Sequence, residues 1–204
     1  MLTFEYIGPR DYFGEGSGKP RVRGTRCTSL DAAFMYRTSD GQVELALVEW
    51  KFTESYLKPP NVAPKKQNSQ RQRYSPHWED PEGPLRTDVI PLDDMLVEPF
   101  YQLMRQQLLA HALEHDPDMP ATVVRVLHVL SPDNDFYQRS LTRPSHEAAG
   151  STVGEAWQRL LRNPDRYRSV DPRVFLDPAV TSEEYIRRYG FGSADGDPVG
   201  RPSC

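Results

Sequence analysis

The dipeptide Asp40-Gly41, set between apolar runs at 30 to 38 and 43 to 53, constrains this chain more than any other feature. Asp-Gly between runs of β-branched, aromatic and aliphatic residues signals a β-hairpin, because a tight return needs residues that tolerate a left-handed backbone. With Ser39, Asp40 and Gly41 as the loop and the glycine in the bulge position, Asp31 on the first strand falls directly opposite Glu49 on the second. A two-residue loop would slip the register by one and turn Asp31 to the other face. The strand period of two puts Lys51 on the same face as Glu49. The otherwise apolar ribbon "VELALVEWKF" thus gathers two acids and a lysine.

Two carboxylates facing each other on a buried hairpin repel and are poorly solvated. A divalent cation removes that cost. Mg²⁺ takes oxygen ligands from one or two carboxylates and fills its remaining positions with water and substrate phosphate. A lysine alongside can hold the attacking water or lower its pKa, and can stabilise charge developing on phosphorus. The competing reading is a structural ion pair between Lys51 and either acid at the solvent end of the hairpin.

The rest of the chain reads as an α/β domain around a small mixed β-sheet flanked by helices. "LTFEYIG" alternates like a strand, and "GEGSGKP" breaks it. That glycine cluster is not a phosphate loop, since Phe13 stands where the motif needs its first glycine and Pro20 follows Lys19. Residues 56 to 93 carry prolines, amides and basic residues without a period, which predicts a long loop insert. The spacing in "EPFYQLMRQQLLAHALE" predicts a helix from about Glu98 to Glu114, and "ATVVRVLHVLS" a buried strand. Thr152 with Glu155, and Thr181 with Glu184, form capping boxes before two further helices. One domain over 1–192 and a tail over 193–204 follow.

Composition narrows the setting. Of 204 residues 37% are hydrophobic and 26% charged, as in a water-soluble globular domain. No apolar run approaches the roughly 20 residues of a membrane span, and "MLTFEYIG" has no signal-peptide pattern, so no membrane partner and a cytoplasmic setting are expected. Cys27 and Cys204 are too few for a disulfide framework or a zinc site. The net charge of -4 is not that of a general nucleic-acid binder, yet two acid-free basic segments flank the hairpin. One holds Lys19, Arg21, Arg23 and Arg26; the other holds Lys58, Lys65, Lys66, Arg71 and Arg73. They are candidate phosphate contacts or, in the plainer reading, solvated loops.

Asp31, then Glu49-Trp50-Lys51 on a hairpin, then a helix and a buried strand resemble the PD-(D/E)XK nuclease superfamily, whose fold is restriction-endonuclease-like. The strings "TSLDAAFMYRTSDG", "LVEWKFTESY" and "EPFYQLMRQQLLA" are similar to an uncharacterised bacterial branch of it, over roughly residues 3 to 132. The resemblance implies a hydrolase acting on DNA, with Mg²⁺ or Mn²⁺ held by Asp31, Glu49 and the backbone carbonyl of Trp50. It implies that Lys51 positions or activates water and that Gln102 or Gln106 on the helix helps orient the site. The residues themselves do not set the oligomeric state, and a homodimer is an expectation only because duplex cutters often pair. The sequence departs from the pattern at Leu30, where a proline is usual, and in lacking the core helix that normally precedes the first strand. An internal start at Met1 is the corresponding expectation.

Two rivals stand beside this reading. One is the same fold kept as a catalytically idle module that binds DNA or a protein. The other is a zinc peptidase, since "HALEH" (His111 to His115) has the H-x-x-E-H spacing. "HWED" (His77, Glu79, Asp80) reads as a surface loop, Glu54 as an outer member of the site or an ordinary hairpin-end residue, and Tyr74, Trp78 and Tyr101 as base-stacking or packing aromatics.

Overall fold

The computed structural model describes residues 1–22, 24–51, 53–58, 63–131 and 133–189. Its centre is the expected hairpin, β2 (Leu30–Arg37) and β3 (Val43–Lys51). Thr38 N donates to Gln42 O at 2.9 Å and Gly41 N to Thr38 O at 3.0 Å, with Gly41 at φ +90°. Nothing lies where a Cβ on Gly41 would sit, so the requirement for glycine there is conformational rather than steric. The loop is therefore the three-residue one. It pairs Ala32 with Val48 and Ala33 with Leu47, and one further step along that register sets Asp31 against Glu49.

Around the hairpin a five-stranded mixed sheet forms in the order β1-β2-β3-β4-β5, with β1 at Leu2–Tyr6, β4 at Val123–Leu130 and β5 at Tyr167–Val170. β1, β2 and β3 are antiparallel neighbours, whereas β4 and β5 run parallel to β3. Parallel neighbours need crossovers. The crossover from β3 to β4 contains α1 (Pro64–Trp78), α2 (Leu92–Met95) and α3 (Phe100–Glu114). The crossover from β4 to β5 contains α4 (Asp135–Gln138), α5 (Pro144–Ala149) and α6 (Val153–Leu160).

Leu45 and Leu47 of β3, Val124 and Val126 of β4, and Leu103, Met104, Leu108 and Leu109 of α3 join one buried core. α3 packs along β4, its last residue Glu114 accepting Val124 N at the start of the strand, so the amino-terminal half of the helix lies at the carboxyl ends of the central strands. The opposite sheet face leaves Leu2, Phe4, Tyr36 and Trp50 exposed.

Residues 56 to 93 differ from expectation, because they hold the fifteen-residue α1 rather than an extended loop. Its buried residues are Gln70, Tyr74 and Trp78, one per turn, and the first of these is polar. That stripe is too narrow to register as a helical hydrophobic period. Pro64 opens the helix where a missing N–H costs little, and Pro76 lies in its last turn. Strand β5 escapes the sequence pattern for a similar reason: of its four residues, Arg168 and Ser169 are exposed.

Before α6, Thr152 Oγ1 accepts from Glu155 N at 3.1 Å and Glu155 reaches back to Ser151 N at 2.9 Å. By contact density the chain forms two units, 1–170 and 171–204. In the second, α7 (Glu183–Tyr189) is capped by Ser182 Oγ, which accepts from Tyr185 N at 3.2 Å, rather than by Thr181.

Candidate active site

The carboxyl end of β3 carries the densest polar arrangement under α3. Glu49 Oε1 receives Lys51 Nζ at 2.8 Å and Gln102 Nε2 at 2.8 Å. The Lys51 and Glu49 side chains are only 5% and 8% exposed. Asp31 Oδ2 accepts the backbone N–H of Trp50 at 2.7 Å, which ties the end of β2 to the peptide between Glu49 and Lys51. Glu54 Oε1 lies 3.9 Å from Lys51 Nζ, at the edge of this group.

Burial raises the Glu49 pKa above the ordinary carboxylate value, and Asp31 adds to the rise, while Lys51 and Gln102 oppose it. For Lys51 burial acts downward, yet the charge and hydrogen bond of Glu49 outweigh it and the net shift is upward. Lys51 is therefore an ammonium donor in this arrangement. Both hydrogen bonds to the Glu49 side chain end on Oε1 among the described residues, and Oε2 takes none.

A carboxylate ion-paired through one oxygen, with the other oxygen uncommitted and a second acid facing it, has the donor chemistry of a hard-cation site. Among the described residues no three His, Cys, Asp or Glu side chains form a metal-binding group. The hairpin offers two carboxylates, so a cation there would complete its shell from backbone carbonyl, water and substrate oxygens, as Mg²⁺ does. The residues fit such an ion.

The two helix glutamines take different places. Gln102 touches Glu49, but Gln106 does not: its Oε1 accepts from His128 Nε2 at 2.8 Å. His128 is the β4 partner of Glu49 in the sheet register, is fully buried, and is kept neutral with its pKa pushed down to about 3 by burial and by Lys51. The row Asp31, Glu49, His128 thus crosses three strands on the face under α3.

Beside this row a cleft of ≈ 450 Å³ opens between α1 and α3. Arg26, Lys66 and Arg73 line it together with Gln70, Gln102 and Gln106. A model of the family described as "Restriction Endonuclease associating with ARP" matches residues 1–190. The chain belongs to this restriction-endonuclease family. Comparisons with curated proteins and with solved structures return no match. The mixed sheet with flanking helices is consistent with the core of a restriction endonuclease.

Within this family member the basic segments divide. Arg26 from the first and Lys66 and Arg73 from the second share the cleft. Arg21 instead pins the loop after β1, donating to Ile7 O at 2.8 Å, Gly8 O at 3.0 Å and Arg10 O at 2.7 Å. Arg71 pairs with Asp93 at 2.9 Å, Lys19 and Lys65 are exposed away from the cleft lining, and Arg23 lies outside the described residues.

Tyr74 and Trp78 are core residues at 0% and 6% exposure, so stacking on a base is closed to them. Tyr101 is half-buried in the cleft wall, with the Arg105 guanidinium 5.3 Å from its ring centroid. "HWED" straddles the end of α1: His77 and Trp78 belong to the helix, Glu79 caps it and Asp80 follows in an exposed loop, and His77 meets Phe13 edge-on at 4.9 Å. His111 and His115 assemble no zinc geometry: Glu114 is taken by Arg166 at 2.7 Å, and His115 Nδ1 faces His111 O at 2.8 Å.

Sequence reasoning missed His128, Glu98 and the glutamine of α1. A lone histidine inside the apolar run "VVRVLHVL" was the available signal for His128. Glu98, at the start of α3, accepts Gln102 N at 3.2 Å and has its pKa raised by burial. Gln70 had no signal, because the helix that carries it was not visible.

Proposed function

We propose that the protein is a divalent-metal-dependent deoxyribonuclease that hydrolyses phosphodiester bonds at the Asp31, Glu49 and Lys51 end of the hairpin. The observation that carries this reading is the half-compensated Glu49: it is buried, its pKa is raised, and Lys51 and Gln102 share one of its oxygens. Asp31, Glu49 and the Trp50 carbonyl would hold Mg²⁺ or Mn²⁺. When bound, such an ion supplies a water made acidic and a positive charge against the developing phosphorane. Lys51, as an ammonium beside Glu49, orients that water and donates toward the non-bridging oxygens. Gln102 holds Glu49 in one rotamer, and His128 with Gln106 supports the floor beneath.

Family membership supports nuclease chemistry and DNA as the polymer, and the cationic cleft beside Gln102 supports a phosphate-bearing substrate. The family's description also joins its endonuclease to an associate, ARP, and we extend that partnership to this chain.

The test is incubation of the purified protein with plasmid and with linear DNA in Mg²⁺, Mn²⁺ or chelator. Cutting is expected with either metal and not with chelator, and Asp31→Ala and Lys51→Ala should each abolish it while circular dichroism stays native. Full cutting by Asp31→Ala would sink the assignment. Salt-sensitive DNA binding without any metal-dependent cutting would leave the fold as an idle binding module.

A further inference from the structure

The cleft between α1 and α3 holds more than a patch of charge. The side chains of Arg26, Lys66 and Arg73 make no hydrogen bond or ion pair among the described residues. By themselves three such cations would be a solvated surface. Below them lie two amides of a different kind. Gln70 is 7% exposed and its Oε1 has no partner, and Gln106 is 0% exposed and its Nε2 has no partner. A buried polar atom without a partner costs about 1–3 kcal/mol. Here one acceptor and one donor carry that cost, and both residues line the same cleft.

An inorganic phosphate, which keeps an O–H at neutral pH, would match the cations and either amide, but it is too small to fill a cleft of ≈ 450 Å³ and reach the rim and the floor together. An uncharged sugar would match the amides and leave the cations without purpose. A nucleotide answers all three demands: an anionic phosphate for the exposed rim, and a base edge with a donor and an acceptor for the buried floor. The cleft's ≈ 450 Å³ lies within the roughly 300–1,000 Å³ of small-molecule sites.

Two carboxylates also face it, and neither opposes this placement. Glu15 is engaged by Arg105 at 2.8 Å, by the Tyr74 hydroxyl at 2.6 Å and by Thr28 N at 2.5 Å. Glu98 accepts Gln102 N, at the end of the cleft nearest Glu49. The phosphate is thereby directed to the Arg26, Lys66 and Arg73 rim.

A base stacked and paired inside a duplex cannot present its edge to a buried floor. We infer that the cleft receives one unpaired nucleotide of the DNA, its phosphate against Arg26, Lys66 and Arg73 and its base edge against Gln70 and Gln106. Gln102 belongs both to the cleft lining and to the Glu49 hydrogen bonds, so the strand is cut beside that unpaired nucleotide. This selectivity rests on the nuclease reading for its polymer.

Fluorescence anisotropy of the full chain in chelator tests it with three labelled DNAs: a single strand, its matched duplex, and the duplex with one mismatch. The single strand should bind at least about tenfold tighter than the matched duplex, since extruding a paired base costs a few kcal/mol. A mismatched duplex that binds like the single strand assigns the cleft to an extruded base; one that binds like the matched duplex assigns it to single strands. Gln70→Leu removes an Oε1 that no protein group satisfies together with one side-chain hydrogen bond to Tyr101, which circular dichroism should show the fold tolerates, and it should weaken single-strand binding about tenfold while leaving duplex binding unchanged.

Equal binding of all three DNAs, or full single-strand affinity in Gln70→Leu, overturns the inference. Chelator keeps cleavage out of the readout. Metal-dependent cutting of matched duplex without preference would end this inference and leave the nuclease standing, whereas single-strand preference without cutting would do the reverse.

Discussion

Glu44 and Glu49 lie on the same strand, and each residue is 6% exposed, yet their surroundings drive them in opposite directions. Glu44 receives both arms of the Arg125 guanidinium, at 2.9 Å and 3.0 Å, and the Tyr36 hydroxyl at 2.6 Å. Those hydrogen bonds, Arg125 first, outweigh burial and hold its pKa down to about 2. Glu49 has a lysine in place of the arginine fork, and Lys51 and Gln102 converge on one oxygen. There burial wins and the pKa rises. Equal solvent exposure thus accompanies a fastener at one end of β3 and an unsaturated site at the other, and two variables separate them: Glu49 lies deeper under packed protein atoms, and fewer of its carboxylate oxygens are met by donors.

The largest effect that could break this contrast is on catalysis. Glu49→Gln keeps the shape and the Gln102 contact but removes the charge, and should lower the rate of metal-dependent DNA cutting by about 10³-fold, roughly 4 kcal/mol of barrier. The same variant, unfolded by denaturant without metal, should stay within about 1 kcal/mol of the parent, because a half-compensated buried charge adds little net stability. Arg125→Ala is the mirror experiment. It strands Glu44 without a counter-charge and should cost about 2–3 kcal/mol of stability, reduced from the fully buried case because the arginine side chain is 30% exposed. Cutting at a temperature where this variant is folded should match the parent. If Glu49→Gln destabilises as much as Arg125→Ala, the two ends of the strand do not differ in kind.

How much of this was legible in the sequence follows from how local each determinant is. The hairpin register could be derived because three adjacent loop residues fix it, and through it Asp31, Glu49 and Lys51 were assigned to one end of the ribbon. The helix carrying Gln102 announced itself by its apolar spacing, and its start at Phe100 lies close to the expected Glu98. Helix α1 did not, because a single narrow stripe led by Gln70 satisfies its packing. The cleft was beyond reach for the same reason. It needs Arg26 from a loop, Lys66 and Arg73 from α1, and two glutamines from different helices, a juxtaposition that only the crossover from β3 to β4 creates. Charge clustering along the chain identified Arg26, Lys66 and Arg73 but equally Arg21 and Arg71, whose guanidinium groups hold the protein's own backbone and side chains.

The smallest effect sharpens the contrast through its sign. Glu44 has a folded pKa of about 2 against an ordinary value of 4.5, so above pH 4.5 both states are ionised and its contribution is complete. As pH falls below 4.5 the unfolded chain takes up the proton first, and that contribution drains away until about pH 2. Glu49 runs the other way. Its folded pKa is raised, so near pH 4.5 and just above it the folded state holds the proton that the unfolded chain has released, and stability is lost as pH rises through that interval. Metal-free unfolding measured across these acid and mildly acid ranges should therefore show a shallower acid loss in Glu44→Gln than in the parent. Glu49→Gln should remove a decline on the higher-pH side instead. Two slopes of the same sign would mean that both acids are compensated alike, and the distinction between fastener and reactive site would have no electrostatic basis.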